Sequence, residues 1–305
     1  MLAVKFSSIR VVEHPDARRF DQRAGKFLLL REAENSYILG FLSGGVANAG
    51  RPDVPRPRFF AVEDHDTVVA AAILFPDGCL LTTWATHEMI NLFVDSLARA
   101  NVRVTSIYAP AHISWMFAQA WCERTGQRYE PNRVERVYQL ARVSYPLPVR
   151  GRMDVATDAD HSFLKSWIEG FAREAAYEDR ALDKIRESLV AGHTLYLWKD
   201  PEPVSMAAWV SPTPNGGSIN FVYTPPEFRR RGFAKALVAA LGRLMLGSGS
   251  RFCFILTEPT DRETNFLYQQ VGARTLCELM RCRILPAAAP QGMSIQANGI
   301  DYKTS

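Results

Sequence analysis

Several familiar signatures are missing from this chain. It has no GxGxxG and no GxxxxGK[ST], which excludes a dinucleotide fingerprint and a nucleotide-triphosphate loop. Its 5 cysteines (Cys79, Cys122, Cys253, Cys277 and Cys282) are odd in number and form no CxxC, so reduced, mostly buried thiols are expected rather than a disulfide framework or a zinc knuckle. "HEMIN" at His87–Asn91 begins like HExxH but ends in Asn, so the second zinc ligand is lacking. "GSGS" at Gly247–Ser250 lacks the GxSxG pattern of a nucleophile turn. Cys277 and Cys282, five apart on an expected strand, should point to opposite faces and share no metal.

Long apolar runs are scarce as well. The clearest, "VVAAAILF" from Val68 to Phe75, is far too short to span a bilayer. The opening "MLAVKFSSIRVVEHPDARRF" has no apolar core ending in a cleavage site, so no signal peptide is expected and a cytoplasmic location is. A net charge of +4 is mild and argues against a general nucleic-acid binder. With 47% hydrophobic and 22% charged residues among 305, the chain should fold into packed domains, and its length suits two.

The best candidate linker is "SYPLPVRGRM", Ser144–Met153, with two prolines and a glycine between a strand-like segment and a new helix. From Pro286 the chain is poor in large apolar residues and reads as a loose tail. The boundaries are therefore 1–145, 153–286 and a tail at 287–305.

In the second half the patterns predict helices over "DADHSFLKSWIEGFAREAAYE" and "ALDKIRESLVAG". Strands follow over "TLYLWK", "VSMAAWVSP" and "GSINFVYT". A helix is expected from about Gly232 to Gly247, a strand over "RFCFILTE", a helix over "ETNFLYQQVGA" and a last strand over "TLCELMRCRIL". The first half repeats this order more faintly. It has a helix over "KFLLLREAENSYILGFL", strands over "RFFAVED", "TVVAAAILFP" and "GCLLTTW", a helix from His87, a strand over "VRVTSIYAP", a helix from Ile113 and a strand over "RVERVYQLARVSY". The halves read as a structural duplication on element order, without residue identity.

One stretch is chemically pointed: "TPPEFRRRGFAKALVAAL", Thr224–Leu241. Three adjacent arginines repel one another. Alone they read as a solvated turn. Here a buried strand and a Pro-Pro turn precede them, and Gly232 and a small-residue helix follow. The first N–H groups of a helix lack internal partners and carry the positive end of its dipole. Glycine admits an anion close to the backbone, and Ala234 crowds little. The geometry is that of a phosphate cradle.

These residues resemble the signature R/Q-x-x-G-x-G/A of the GNAT superfamily, the acetyl-coenzyme A-dependent N-acetyltransferases, met by Arg229, Gly232 and Ala234. Downstream, "TNFLYQQVGA" is similar to that family's N-x-x-Y-x-x-x-G helix, met by Asn265, Tyr268 and Gly272. The resemblance covers about Ser205 to Arg283 at residue level and only the architecture of the first half. It implies an α/β (α+β) fold of tandem GNAT-like domains, each a mixed, mostly antiparallel sheet flanked by helices. The cofactor implied is acetyl-coenzyme A.

Further implications follow residue by residue. Backbone amides of Arg230, Arg231, Gly232, Phe233, Ala234 and Lys235, following Arg229, would hold the pyrophosphate. Phe221, Val222 and Tyr223 would bond the pantetheine as an added strand, with the Val222 N–H polarising the thioester carbonyl. Asn265 would contact the pantetheine, and Tyr268 would give a proton to the departing thiolate, a phenol near ~10 and a thiol near ~8.5 being close enough for transfer. A core tyrosine and a capping asparagine are the plainer readings. Glu258, ending the next strand, is the nearest general base, or simply a surface carboxylate. Glu227 in the turn would balance the arginines. The first half's "TTWATHEMINLF" has neither arginine nor glycine where the phosphate loop should be, so that half should not bind coenzyme A and would instead shape the substrate cleft or act as a built-in dimer partner. Trp167, Phe171 and Tyr177 line an acceptor pocket or belong to the core.

The expected function is acetyl transfer to a small-molecule or peptide amine acceptor, by a monomer or homodimer without nucleic-acid or membrane partners. The rival is a catalytically silent acyl-coenzyme A-binding regulatory protein, and a longer acyl chain is a third option.

Overall fold

The computed structural model describes residues 9–45, 56–144, 149–175 and 194–287. The tail beyond 287, Tyr177 and the helix expected at Ala181–Gly192 lie outside the described residues.

The first half runs β1 (Ile9–His14), α1 (Ala17–Leu29), α2 (Ser36–Gly45), β2 (Arg58–Asp64), β3 (Thr67–Leu74), β4 (Cys79–Thr82), α3 (His87–Arg99), β5 (Ser106–Pro110), α4 (Ala111–Thr125) and β6 (Arg128–Leu140). The second half runs β7 (Arg152–Val155), α5 (His161–Glu174), β8 (Thr194–Lys199), β9 (Pro203–Thr213), β10 (Gly216–Tyr223), α6 (Phe233–Gly247), β11 (Phe252–Thr257), α7 (Arg262–Val271) and β12 (Arg274–Leu285). The order repeats, except that α2 has no counterpart among the described residues of the second half.

Two features differ from expectation. The long helix "KFLLLREAENSYILGFL" is two helices, and the first starts earlier, capped by Asp16, which accepts from the Arg19 N–H at 2.8 Å. The break comes at Asn35, whose buried side-chain amide donates to the Leu28 carbonyl at 2.8 Å and replaces a helical bond. The edge strands β1 and β7, short and half-exposed, carry no alternation to announce them.

All strands join one 12-stranded sheet in the order β1-β2-β3-β4-β5-β12-β6-β11-β10-β9-β8-β7. The two terminal strands of the halves are exchanged. β12 pairs antiparallel with β5, completing the first half, and β6 pairs antiparallel with β11, completing the second. β6 and β12 pair antiparallel with each other from Arg128↔Leu285 to Gln139↔Arg274, about a pseudo-two-fold axis. A cut near residue 145 therefore divides the sequence but not the sheet.

Helices cover both faces. α3 and α4 pack Phe93, Leu97, Ile113 and Phe117 on one face of the first half, with Cys282 buried among them. α1 and α2 pack Phe20, Leu28 and Leu39 on the other, where Cys277 lies. That second layer runs across the axis to Val137 and Phe254. α6 and α7 bury Leu237, Leu241, Met245 and Val271 on the second half, and α5 covers its opposite face. Across the halves, buried Glu32 accepts from Asn215 N–H at 2.9 Å and from its side-chain amide at 2.7 Å. Among the described residues no helix is long and apolar enough to cross a membrane.

Candidate functional site

β10 pairs parallel with β11 only as far as Ile219↔Ile255, and its antiparallel register with β9 shifts between Asn220 and Tyr223. At the shift Phe221 takes φ +52°, a left-handed conformation unusual for a bulky residue. Its ring is buried against Phe171 of α5, centroids 5.5 Å apart, and the Asn220 side-chain oxygen accepts its N–H at 2.7 Å. Ser205 of β9 donates to the Tyr223 carbonyl at 3.0 Å and accepts from Thr224 at 2.9 Å. The bulge thus turns the end of β10 away from β11. A cavity of about 380 Å³ opens between Asn220–Tyr223 on one side and Leu256–Glu258 on the other.

After a short turn at Pro226–Phe228, Arg230 (φ +62°) and Gly232 (φ +82°) are both left-handed. They bend the backbone into the start of α6, whose first turn has no side-chain cap. Its leading amides are thus left for a ligand or water. They border a second cavity of about 740 Å³, walled by Gly232–Lys235 and by Phe266, Leu267 and Gln270 of α7. The two cavities share Glu174, Val222, Tyr223, Asp261, Thr264 and Tyr268, so they form one groove.

The expected residues do not all meet there. Phe221, Val222, Tyr223 and Glu258 line the first cavity. Arg229, Arg230, Gly232, Phe233, Ala234 and Lys235 line the second, and Val222, Tyr223 and Tyr268 line both. Arg231 is exposed and lines neither. Arg229 is turned inward. Its guanidinium donates to the Thr224 carbonyl at 2.8 Å and to Glu174 of α5 at 2.6 and 2.8 Å, and stacks over Tyr223 at 5.7 Å. The bond to Glu174 raises its pKa further. It clamps the loop, and its charge is balanced by Glu174 rather than by Glu227.

Asn265 differs most from expectation. Its amide donates to the Glu258 and Asp261 carbonyls at 2.8 and 2.5 Å, and its oxygen accepts from Tyr138 at 2.7 Å and Arg136 at 3.3 Å. With donors and acceptor engaged, it ties α7 to β6 and to the loop after β11, and it lines neither cavity. Tyr268, one turn on, packs edge-to-face on Tyr138 of β6 at 5.9 Å. It is 4% exposed, and burial pushes its hydroxyl well above the ordinary phenol range. Among the described residues its hydroxyl has no hydrogen-bond partner, and it faces the groove. Burial pushes the thiols of Cys253 and half-buried Cys277 up to about 12, away from the thiolate form.

The sequence reading allowed the first half to shape the cleft but named none of its residues. Tyr37, Arg133 and Glu135 line the first cavity together with Phe171 and Glu174. Arg133 and Glu135 alternate along "RVERVYQL", so a polar face was visible there. The exchange that puts it beside β11 was not.

The same place in the first half is closed. α3 is capped by its own Thr86, which accepts the Met89 N–H at 3.4 Å, and β4 pairs with β3 and β5 without a register shift. Among the described residues no group of metal-ligating side chains occurs.

Residues 197–283 match the model of the family described as FR47-like protein. No curated protein matches the sequence. Among solved structures, a Drosophila melanogaster protein aligns with TM-score 0.62 at 13% identity, covering 92% of this chain and 100% of its own. A GCN5-related N-acetyltransferase from Sphaerobacter thermophilus aligns with TM-score 0.55 at 15% identity, covering 90% and 95%. A tandem GNAT protein from the clavulanic acid biosynthesis pathway aligns with TM-score 0.51 at 13% identity, covering 92% and 99%. The fold is the GNAT fold, present twice in one chain.

Proposed function

We propose that this protein is an N-acetyltransferase that moves an acetyl group from acetyl-coenzyme A to an amine. The observation that carries the reading is the continuous groove. One end has the uncapped start of α6 behind two left-handed residues, suited to a pyrophosphate. The other has a bulged strand whose edge is released from β11, suited to a pantetheine laid alongside it. Arg230 and Lys235 add positive charge at the phosphate end.

In this reading the amine nitrogen attacks the thioester carbon. A C–N bond forms, negative charge builds on the carbonyl oxygen, and the Val222 N–H stabilises it. The C–S bond then breaks, and the thiolate takes up the proton that the nitrogen sheds. Tyr268 donates a hydrogen bond to the departing sulfur. Its raised pKa keeps it protonated but makes outright transfer to a thiolate of ~8.5 uphill. It serves as a donor and relay for the amine's proton. Glu258, 46% exposed just past β11, takes the earlier proton, the one an ammonium loses to become the attacking amine, and passes it to solvent.

The test is calorimetry with acetyl-coenzyme A, followed by thiol release across a panel of amines. Binding with turnover supports the reading. Binding with no turnover on any amine favours a silent acyl-coenzyme A binder, and no binding removes the site.

A further inference from the structure

One stripe of α5 lies against the segment that shapes the groove. Trp167, Gly170, Phe171 and Glu174 stand at i, i+3, i+4 and i+7, so they share a helix face. Each meets the stretch between β10 and α6. Phe171 packs edge-to-face on Phe221 at 5.5 Å, and Trp167 lies 6.4 Å from Tyr223. Gly170 lets the Tyr223 ring close onto the helix, since a Cβ there would meet its hydroxyl and come within 2.8 Å of its Cζ. Glu174, the last residue of α5, accepts from Arg229 at 2.6 and 2.8 Å. The helix thus grips this stretch at both ends, at the bulge and at the turn before α6.

Both ends hold a strained residue. Phe221 takes φ +52°, and Arg230, next to Arg229, takes φ +62°. Left-handed residues that carry side chains persist only where the surrounding structure holds them. The other partners of Arg229 do not supply this. The Thr224 carbonyl and the Tyr223 ring belong to the same stretch and fold the turn onto itself. Of these three partners, Glu174 alone comes from another element. Its charge makes the arrangement informative. Glu174 lines both cavities, 50% exposed, beside the amides and cations suited to a pyrophosphate. By charge alone a carboxylate there repels phosphate, so its removal should tighten the binding of an anion. The geometry argues the reverse, because removal releases the turn from the helix.

We infer that α5 is the positioning element of the cofactor groove. Through Glu174 on Arg229 and Gly170 against Tyr223, it holds the strand end and the phosphate turn in their binding shape. Glu174, an acidic residue, thereby raises the affinity for an anionic ligand. This rests on the cofactor site of the transferase reading above and adds to it two positioning residues that lie outside both sequence motifs. Each acts through a neighbour.

The test is calorimetry of the full chain with acetyl-coenzyme A, alongside thermal melting of the free protein. Glu174→Gln should weaken affinity about fivefold, the size expected of one part-exposed ion pair, while the free protein's Tm stays within about 2 °C. Gly170→Ala changes no charge and favours the helix, yet by displacing Tyr223 it should weaken affinity about tenfold. Arg229→Gln combined with Glu174→Gln should bind no more weakly than Arg229→Gln alone, because the carboxylate acts through the guanidinium. Tighter or unchanged binding by Glu174→Gln would overturn the inference, whether or not Tm falls. So would unchanged affinity in Gly170→Ala, or losses that add in the double variant. Failure of the wild-type protein to bind acetyl-coenzyme A is a different result, and it sinks the transferase reading itself.

Discussion

Gly232 stands where three demands meet: a left-handed turn, the first residue before α6, and close approach of a ligand. An alanine there would be strained by about 1 kcal/mol and would bring its Cβ to 3.3 Å from Val149. We expect Gly232→Ala to lower stability by about that amount and to weaken acetyl-coenzyme A less than tenfold. Gly232→Glu adds a bulky anion to the same backbone, so calorimetry should show a loss of affinity beyond about 100-fold. Equal affinities for the two variants would mean that the turn is structural only. Tyr268 makes the complementary prediction. Tyr268→Phe removes a hydroxyl with no described protein partner, so stability should hold and acetyl-coenzyme A affinity should stay within about twofold. The transfer rate should fall about 10- to 100-fold. Because burial raises the phenol's pKa, the wild-type rate should also show no fall from tyrosine ionisation as pH rises from 8 to 10. A full-rate phenylalanine variant would remove the hydroxyl from the chemistry. Spacing alone could nominate Asn265 and Tyr268, but not say which way their polar atoms point. The four hydrogen bonds that consume Asn265 involve partners up to 129 residues away.

Among the elements, α6, α7 and β12 were legible because each has a period and a glycine at its edge, and β11 because it is a short apolar run. The repeat of element order was legible for the same reason. Strand exchange was not: β6 is an equally good fit in pattern for either half, and only three-dimensional pairing decides it. Its consequence is testable. A fragment 1–144 lacks the strand between β5 and β6, and a fragment 149–305 lacks the one between β11 and β12. Each alone should be insoluble or unfolded by circular dichroism, whereas co-expression should give a stoichiometric complex. Independent folding of either would contradict the exchange. The edge of the sheet depends on charge instead. Buried Glu63 of β2 accepts from Arg10 of β1 at 3.1 Å and Arg23 of α1 at 2.5 Å. These bonds, the one to Arg23 foremost, hold its pKa below the ordinary carboxylate range. A depressed folded pKa contributes stability above the unfolded pKa of about 4.3, and that contribution is lost as pH falls through the folded value. Glu63→Gln should thus cost about 1–2 kcal/mol at pH 7, discounted because Arg10 and Arg23 remain 65% and 35% exposed, and the cost should shrink towards pH 3. A penalty in urea unfolding that does not change with pH would show that the arginines are not its source.

For the whole molecule, duplication and exchange pull in opposite directions. The fold repeats, which would allow two cofactors, yet among the described residues only one half has the opening. α3 spends its N-terminal amide on Thr86, and β4 keeps its register, whereas α6 is uncapped and β10 is bulged. Titration should therefore give one acetyl-coenzyme A per chain. At the same time β6, β12 and the Glu32–Asn215 contact tie the halves into one sheet and one inner layer. A ligand that binds only folded protein stabilises it by RT ln(1 + [L]/Kd), about 2.7 kcal/mol at 100-fold excess over Kd. If the halves were independent, that gain would stay in the second half. Because each half's sheet is completed by the other's strand, neither can unfold while the other remains intact. Heating should give one transition, and tryptophans of the first half (Trp84, Trp115, Trp121) should report the same acetyl-coenzyme A-dependent rise as Trp198 and Trp209. Single-tryptophan variants make the comparison direct. Two transitions, with only the second-half probes moving on ligand addition, would mean that the shared strands do not couple the halves and that the N-terminal wall of the groove is held in place by contacts weaker than the sheet.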